Sequence, residues 1–157
     1  LDAEQYRDSL LVAMGSLQNH VGGPSVPGTP GRRSIYLQRR RNSSDEMLST
    51  LDAPTGLVGT ARRDVTTTAP QSLMMLNSPR IIGVAKSFAS RVRRDTSEID
   101  TAHRSAEFVR RAHRIIAAVE ADDDTVGLLA PMISSGSQGE VDACHILLNS
   151  NAFLFID

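Results

Sequence analysis

Apolar residues recur at three- and four-residue spacing along several stretches of the chain, which is the pattern of amphipathic helices. The first stripe follows Asp2 and Gln5, which resemble a capping box, and it contains Tyr6, Leu10, Met14 and Leu17. Two glycines and a proline at 22–24 are predicted to end this helix, because glycine permits a left-handed exit and proline cannot continue a helix.

The middle of the chain predicts two consecutive helices. Thr68, Pro70 and Gln71 form a good helix start, and the four apolar residues at 73–76 indicate a short helix that is buried on nearly all sides. The segment 77–79 breaks this helix and caps the next one. That second helix has the clearest amphipathic stripe in the chain, made of Ile81, Ile82, Ala85, Phe88, Ala89 and Val92.

Three more helices are predicted towards the end of the chain. One runs from about residue 99 to 119, and the aspartates at 122–124 end it and can start the next one, which covers 125–133 and is interrupted at Pro131. The last begins with a capping box of Ser137 and Glu140. The polar residues at 149–151 are predicted to stop it and to turn Phe153 and Phe155 onto the core.

Irregular structure is expected between the first helix and the middle of the chain. Residues 22–33 hold four glycines and three prolines, a composition that favours a mobile linker over an ordered wrap on the domain. Residues 34–38 predict a short strand, 43–51 a helical turn, and 57–60 a second extended piece that pairs with the first as a small ribbon.

Together these elements predict one mainly α domain over residues 1–157, a compact bundle of about five or six helices with a long Gly/Pro-rich loop at 22–33 and at most a small β ribbon. No run approaches the roughly 18 apolar residues of a membrane span. The single Cys excludes an internal disulfide and a several-thiolate zinc cage. The net charge of -1 argues against nucleic-acid binding. The chain starts without Met and finishes on an apolar run at 153–156, so we expect a fragment of a longer protein whose last residues are buried.

Sixteen of the seventeen basic residues are arginine, which favours planar contacts with carboxylates and other oxyanions. One hypothesis is a carbohydrate- or oxyanion-binding pocket, enzymatic or not, formed by Arg62, Arg63, Asp64, Asn42 and His145. The favoured interpretation is that the paired arginines, Arg32 with Arg33 and those at 62–63 among them, tie irregular loops together through internal ion pairs.

Histidine and cysteine give no pattern of a metal or catalytic site. His103 and His113 are ten residues apart, too far to share an ion, and Cys144 and His145 are adjacent and therefore point to different faces of a helix. Apolar surroundings are expected to raise the pKa of the Cys144 thiol. We therefore predict no metal, no cofactor and no catalytic residue in this segment, and whether it is an enzyme stays open.

Several motifs in a fixed order resemble the uncharacterised C-terminal domain of large planctomycete-type proteins that often also carry a cytochrome c module. They are 1–11 (LDAEQYRDSLL), 22–24 (GGP), 32–36 (RRSIY), 62–71 (RRDVTTTAPQ), 76–79 (LNSP) and 144–154 (CHILLNSNAFL). The sequence departs from that pattern at 114–120 (RIIAAVE), where a Leu-Gly-Arg-x-Pro segment is usual, so a site built from 114–140 is in doubt.

The resemblance implies an extracytoplasmic protein, periplasmic or at the cell surface, with any haem in a separate domain of the parent chain. It implies no established activity. The resulting expectation is a non-catalytic accessory module that binds companion domains of the same parent chain, and the alternative is the glycan or small-anion site at 62–64.

Overall fold

A computed structural model describes residues 2–27, 31–38, 46–51, 53 and 69–155. In these ranges the chain forms one 3-10 turn, no sheet, and eight α-helices: α1 (Ala3–Met14), α2 (Glu46–Thr50), α3 (Ala69–Asn77), α4 (Pro79–Asp95), α5 (Thr101–Ala117), α6 (Asp123–Ser134), α7 (Ser137–Leu148) and α8 (Asn151–Leu154). The mainly α class is confirmed. The count exceeds the five or six predicted because it includes α2 and α8, which have only five and four residues.

Helix α4 lies at the centre of the bundle and packs against α1, α3, α5 and α7. Its buried side follows the predicted stripe, with Val84 in place of Ile82, and consists of Ile81, Val84, Ala85, Phe88, Ala89 and Val92. Helix α6 fills the space beside α5 and α7. Six residues of the buried core therefore lie on this one helix, and each large apolar side chain removed from water contributes about 1.5–3 kcal/mol.

Side-chain caps begin two helices where the sequence predicts them. The Ser78 hydroxyl accepts a hydrogen bond from the main-chain N–H of Arg80 at 3.3 Å, and Pro79 occupies the first position of α4. Asp122 accepts from the N–H of Thr125 at 2.7 Å and begins α6. Hydrogen bonds from the side chain and from the main-chain N–H of Thr125 hold the pKa of Asp122 below its ordinary value.

The end of α1 differs from the prediction. The capping-box start is confirmed, with the N–H of Asp2 donating to Gln5 Oε1 at 2.9 Å, but the helix ends at Met14 and not near 22–24. Gly15 follows with φ of 70°, the left-handed conformation of a helix C-cap. The guanidinium of Arg91 on α4 donates to the carbonyls of Val12 and Ala13, which the end of the helix leaves without helical partners.

The predicted strand at 34–38 is wrong. Ser34–Tyr36 is a 3-10 turn, because the N–H and hydroxyl of Ser34 both donate to Asp8 Oδ1, at 2.8 and 2.7 Å, and fix the start of that turn. Two isolated bridges, Gln18 with Arg32 and Val26 with Leu37, replace a ribbon among the described residues. The second predicted strand, 57–60, lies outside the described residues.

Two details of α6 and α7 also correct the sequence analysis. Helix α6 continues through Pro131, which lies on the exposed side of the helix four residues after the exposed Gly127. The cap of α7 is Gly136, and the capping box of Ser137 with Glu140 does not form. Glu140 instead accepts a hydrogen bond from Arg93 Nε of α4 at 2.6 Å.

Some apolar residues that were expected to be buried lie at the surface. Leu73 and Leu76 of α3 are 58% and 52% exposed, because this short helix packs on α4 and α2 by one side only. At the end of the chain Phe153 is buried against Tyr6, with ring centroids 5.7 Å apart, as predicted, whereas Phe155 is exposed. No helix in the described part of the chain combines the length and apolar character that crossing a bilayer requires.

Candidate functional site

Of the five residues of the predicted pocket, one lies in the part of the chain that the structure describes. Arg62, Arg63, Asp64 and Asn42 lie outside the described residues, so the carbohydrate or oxyanion site stays a prediction. His145 is described and lies on α7, partly buried.

The ring of His145 takes part in a contact between two helices. Its Nε2 lies 3.2 Å from the carbonyl oxygen of Met75 on α3, a bond in which a protonated Nε2 is the donor. The amide of Asn149 donates to the main-chain carbonyl of His145 at 2.8 Å. The Met75 contact ties α3 to α7, so this ring nitrogen serves the packing of α3.

Cys144, the neighbour of His145, is sealed in the core. Its side chain is fully buried among apolar residues, and burial, with a smaller contribution from the Glu140 carboxylate, raises the pKa of its thiol as predicted. A thiol that stays protonated and shielded from solvent is a poor nucleophile. The Cys144–His145 pair therefore has no arrangement for thiolate chemistry.

The remaining described histidines near helix ends make local contacts. His103 Nδ1 lies 3.5 Å from the Asp100 carboxylate, and His113 Nδ1 lies 3.0 Å from the carbonyl oxygen of Val119. Within the described residues no three His, Cys, Asp or Glu side chains are grouped so as to hold a metal ion.

The segment after α1 is organised around Arg32. We call residues 15–27 and 31–38 the arginine loop. The Arg32 guanidinium donates to the carbonyl of Gly22 at 2.6 Å and lies 4.1 Å over the ring of Tyr36, whose hydroxyl oxygen accepts from the N–H of Gly22 at 2.9 Å. The described parts of the predicted linker are thus an ordered wrap. Arg32 ties a loop as predicted, although its partners are carbonyls and an aromatic ring.

A second polar contact fixes the arginine loop to α1, and the sequence analysis did not find it. Arg7 is buried, and its Nη1 donates to the carbonyl of Arg32 at 2.9 Å and to the Ser34 hydroxyl at 3.2 Å. Asp8 accepts the two bonds from Ser34 and lies 3.7 Å from Arg33 Nε. The adjacent charges at 7–8 gave no signal, because their partners are about 25 residues away in the chain.

Three exposed apolar side chains lie on the two helices that the His145 contact joins. Leu76 follows Met75 on α3 and Ile146 follows His145 on α7, so the backbones of both residues lie close to this helix junction, although neighbouring residues of a helix point to different faces. Leu73 is one turn before Leu76 on the same side of α3. All three side chains are exposed. We call Leu73, Leu76 and Ile146 the α3–α7 surface.

A family model described as "PSD1: Protein of unknown function (DUF1553)" matches residues 1–133, which cover α1 to α6 in all but the last residue of α6. No curated protein matches the chain. No solved structure matches it either.

Proposed function

The chain belongs to the family described as PSD1, protein of unknown function (DUF1553), and we propose that it is a non-catalytic accessory module that binds a companion domain. The setting in this proposal follows the sequence resemblance. It is an exported, planctomycete-type protein associated with cytochrome c, in which the haem belongs to another domain.

The exposed α3–α7 surface is the observation that carries this proposal. Leu73, Leu76 and Ile146 present branched apolar side chains on two helices that the His145–Met75 bond holds together. Rigid apolar side chains on regular elements favour binding, because little conformational entropy is lost when a partner covers them. Interfaces between domains commonly bury about 600–1,500 Å², and a surface of this kind can form the centre of one.

The chemistry of the described groups also supports a binding role. The thiol of Cys144 is buried and protonated, and a ring nitrogen of His145 is used to hold α3. The guanidiniums of Arg7 and Arg32 bond main-chain carbonyls of the arginine loop. These side chains stabilise the fold, and such use suits a module whose function lies in its surface.

Binding to neighbouring domains tests the proposal. The domains encoded beside this chain in the same gene are produced separately, and each is titrated with the chain by calorimetry. We expect saturable binding to at least one of them, with a negative heat-capacity change from buried apolar area. Failure of every neighbouring domain to bind would contradict the proposal.

The alternative site at 62–64 has its own test. If that segment binds a glycan or an oxyanion, a sulfated oligosaccharide should bind saturably, and Arg62→Ala with Arg63→Ala should abolish the binding. Weak binding that depends only on salt and is unchanged in the variant would remove this alternative.

A further inference from the structure

The arginine loop displays two large apolar side chains that the fold leaves uncovered. Val21 is 85% exposed and Ile35 is 77% exposed, the two highest values among the exposed large hydrophobic residues of the described chain. Gly22 follows Val21 and Tyr36 follows Ile35, and a hydrogen bond joins Gly22 to Tyr36. The loop is therefore fixed, and its apolar side chains are held ready for contact without further ordering.

The charge of this loop has one sign. In residues 15–27 and 31–38 the charged side chains are Arg32 and Arg33, and no Asp or Glu occurs. Arg32 is occupied within the loop, whereas the side chain of Arg33 is 62% exposed and has one ion-pair contact, to Asp8, at 3.7 Å. Arg33 thus gives the surface around Ile35 a positive charge.

A second surface of the chain has the opposite charge and a similar apolar content. Residues 118–128 connect α5 to α6 and include the first turns of α6. They carry four acidic residues and no basic one, and one of the four, Glu120, is paired with Arg114 of α5 at 2.7 Å. Leu128 is 73% exposed and lies one turn after the exposed Asp124 on α6, so the two share a face. Val119 is also exposed. We call residues 118–128 the acidic corner.

We propose that two copies of this chain associate through these surfaces, the arginine loop of each copy on the acidic corner of the other. Apolar side chains then cover one another, and Arg33 meets the carboxylate of Asp124. A two-fold arrangement makes this contact twice, which suits a pair of different but complementary surfaces. The α3–α7 surface takes no part, so this inference is independent of the proposed function.

The expected association is weak. A stable interface usually buries about 800 Å² on each partner, and a contact centred on a few apolar side chains and one charge pair is at the lower end of that class. We therefore expect a dimer with a Kd of about 10⁻⁵–10⁻⁴ M. Exposed charges are screened by salt, so the dimer should weaken as ionic strength rises.

Sedimentation velocity over a range of concentrations tests the inference. The wild-type chain should shift from monomer to dimer as its concentration rises, and Val21→Ser or Leu128→Ser should lower the association at least tenfold. Leu73→Ser, an equivalent change on the α3–α7 surface, should leave it unchanged. A wild-type chain that stays monomeric up to about 1 mM, well above the expected Kd, would overturn the proposal.

Charge reversal gives a second test, in which dimers that reappear on mixing also show that both variants are folded. Arg33→Glu and Asp124→Arg each place like charges at both contacts of their own dimer, so each variant alone should be monomeric. In an equimolar mixture both contacts of the mixed dimer regain opposite charges, and dimers should reappear. A mixture that remains monomeric, or single variants that dimerise like the wild type, would contradict the pairing.

Discussion

Gly139 of α7 lies directly against the carbonyl oxygen of Met132 on α6: a Cβ added at Gly139 would come within 1.8 Å of that oxygen. No real Cβ approaches a main-chain oxygen so closely. The contact between these consecutive helices therefore requires glycine at this position, and α7 cannot keep its place on α6 with any larger residue there.

Gly139→Ala should lower the free energy of unfolding by about 2–3 kcal/mol, because the helices must move apart to admit the methyl group. Gly83→Ala on α4 is the matched control, since a Cβ there has no atom within 4 Å. That change should raise the stability by about 0.5–1 kcal/mol through helix propensity. Urea unfolding of both variants checks the pair, and equal effects would show that the close contact is not a constraint.

Arg32→Lys should loosen the arginine loop. Lysine keeps the charge but loses the planar guanidinium that donates to the Gly22 carbonyl and stacks on Tyr36, which should cost about 1–2 kcal/mol. Limited proteolysis should then cut the loop faster than in the wild type. Arg33→Lys, at an exposed neighbour, should leave the cleavage rate unchanged, and equal rates in both variants would contradict the role given to Arg32.

Alkaline pH should destabilise the protein through Tyr6. Burial raises the pKa of Tyr6 from 10.0 to about 12, so between these values the unfolded chain loses a proton that the folded chain keeps. The stability present below pH 10 is therefore lost as the pH rises, by about 1.4 kcal/mol per pH unit from this group. Cys144, whose pKa is also raised, adds a loss that starts at lower pH.

Urea unfolding at several pH values separates the two groups. Tyr6→Phe should remove the share of the loss that starts near pH 10 and should leave the share that comes from Cys144, whereas Cys144→Ala should retain the share that comes from Tyr6. At neutral pH Tyr6→Phe should change the stability by no more than about 0.5 kcal/mol, since the buried hydroxyl has no hydrogen-bond partner to lose. An unchanged alkaline slope in Tyr6→Phe would contradict this assignment.

The sequence predicted the elements whose causes are local. The stripe of α4, the Ser78 cap and the Asp122 start of α6 depend on residues within a few positions of each other, and all are present. The end of α1 was missed although Gly15 is a local signal for it, because two glycines and a proline at 22–24 form a stronger stop signal; the Arg91 bonds that support this end come from about 80 residues away. The strand predicted at 34–38 failed because Asp8, 26 residues away in the chain, determines how the chain turns at Ser34.

The candidate site was only partly accessible to sequence reasoning. The role of Arg32 as a loop tie followed from the local run of arginines, glycines and prolines, but its carbonyl partners did not. The α3–α7 surface was missed because four consecutive apolar residues indicate burial, and only the packing of α3 shows which of them stay uncovered. His145 was proposed as a binding residue. Its contact is with Met75, which lies 70 positions away on another helix, so no local signal in the sequence indicated it.

Methyl chemical shifts measured during titration with a neighbouring domain test the central claim most directly. If the chain is an accessory module that docks through the α3–α7 surface, the largest changes should fall on the methyl groups of Leu73, Leu76 and Ile146. Those of Leu128, which is more exposed than these three residues and lies on the acidic corner, should stay in place. Shifts absent from the three α3–α7 residues, or centred elsewhere, would contradict the account.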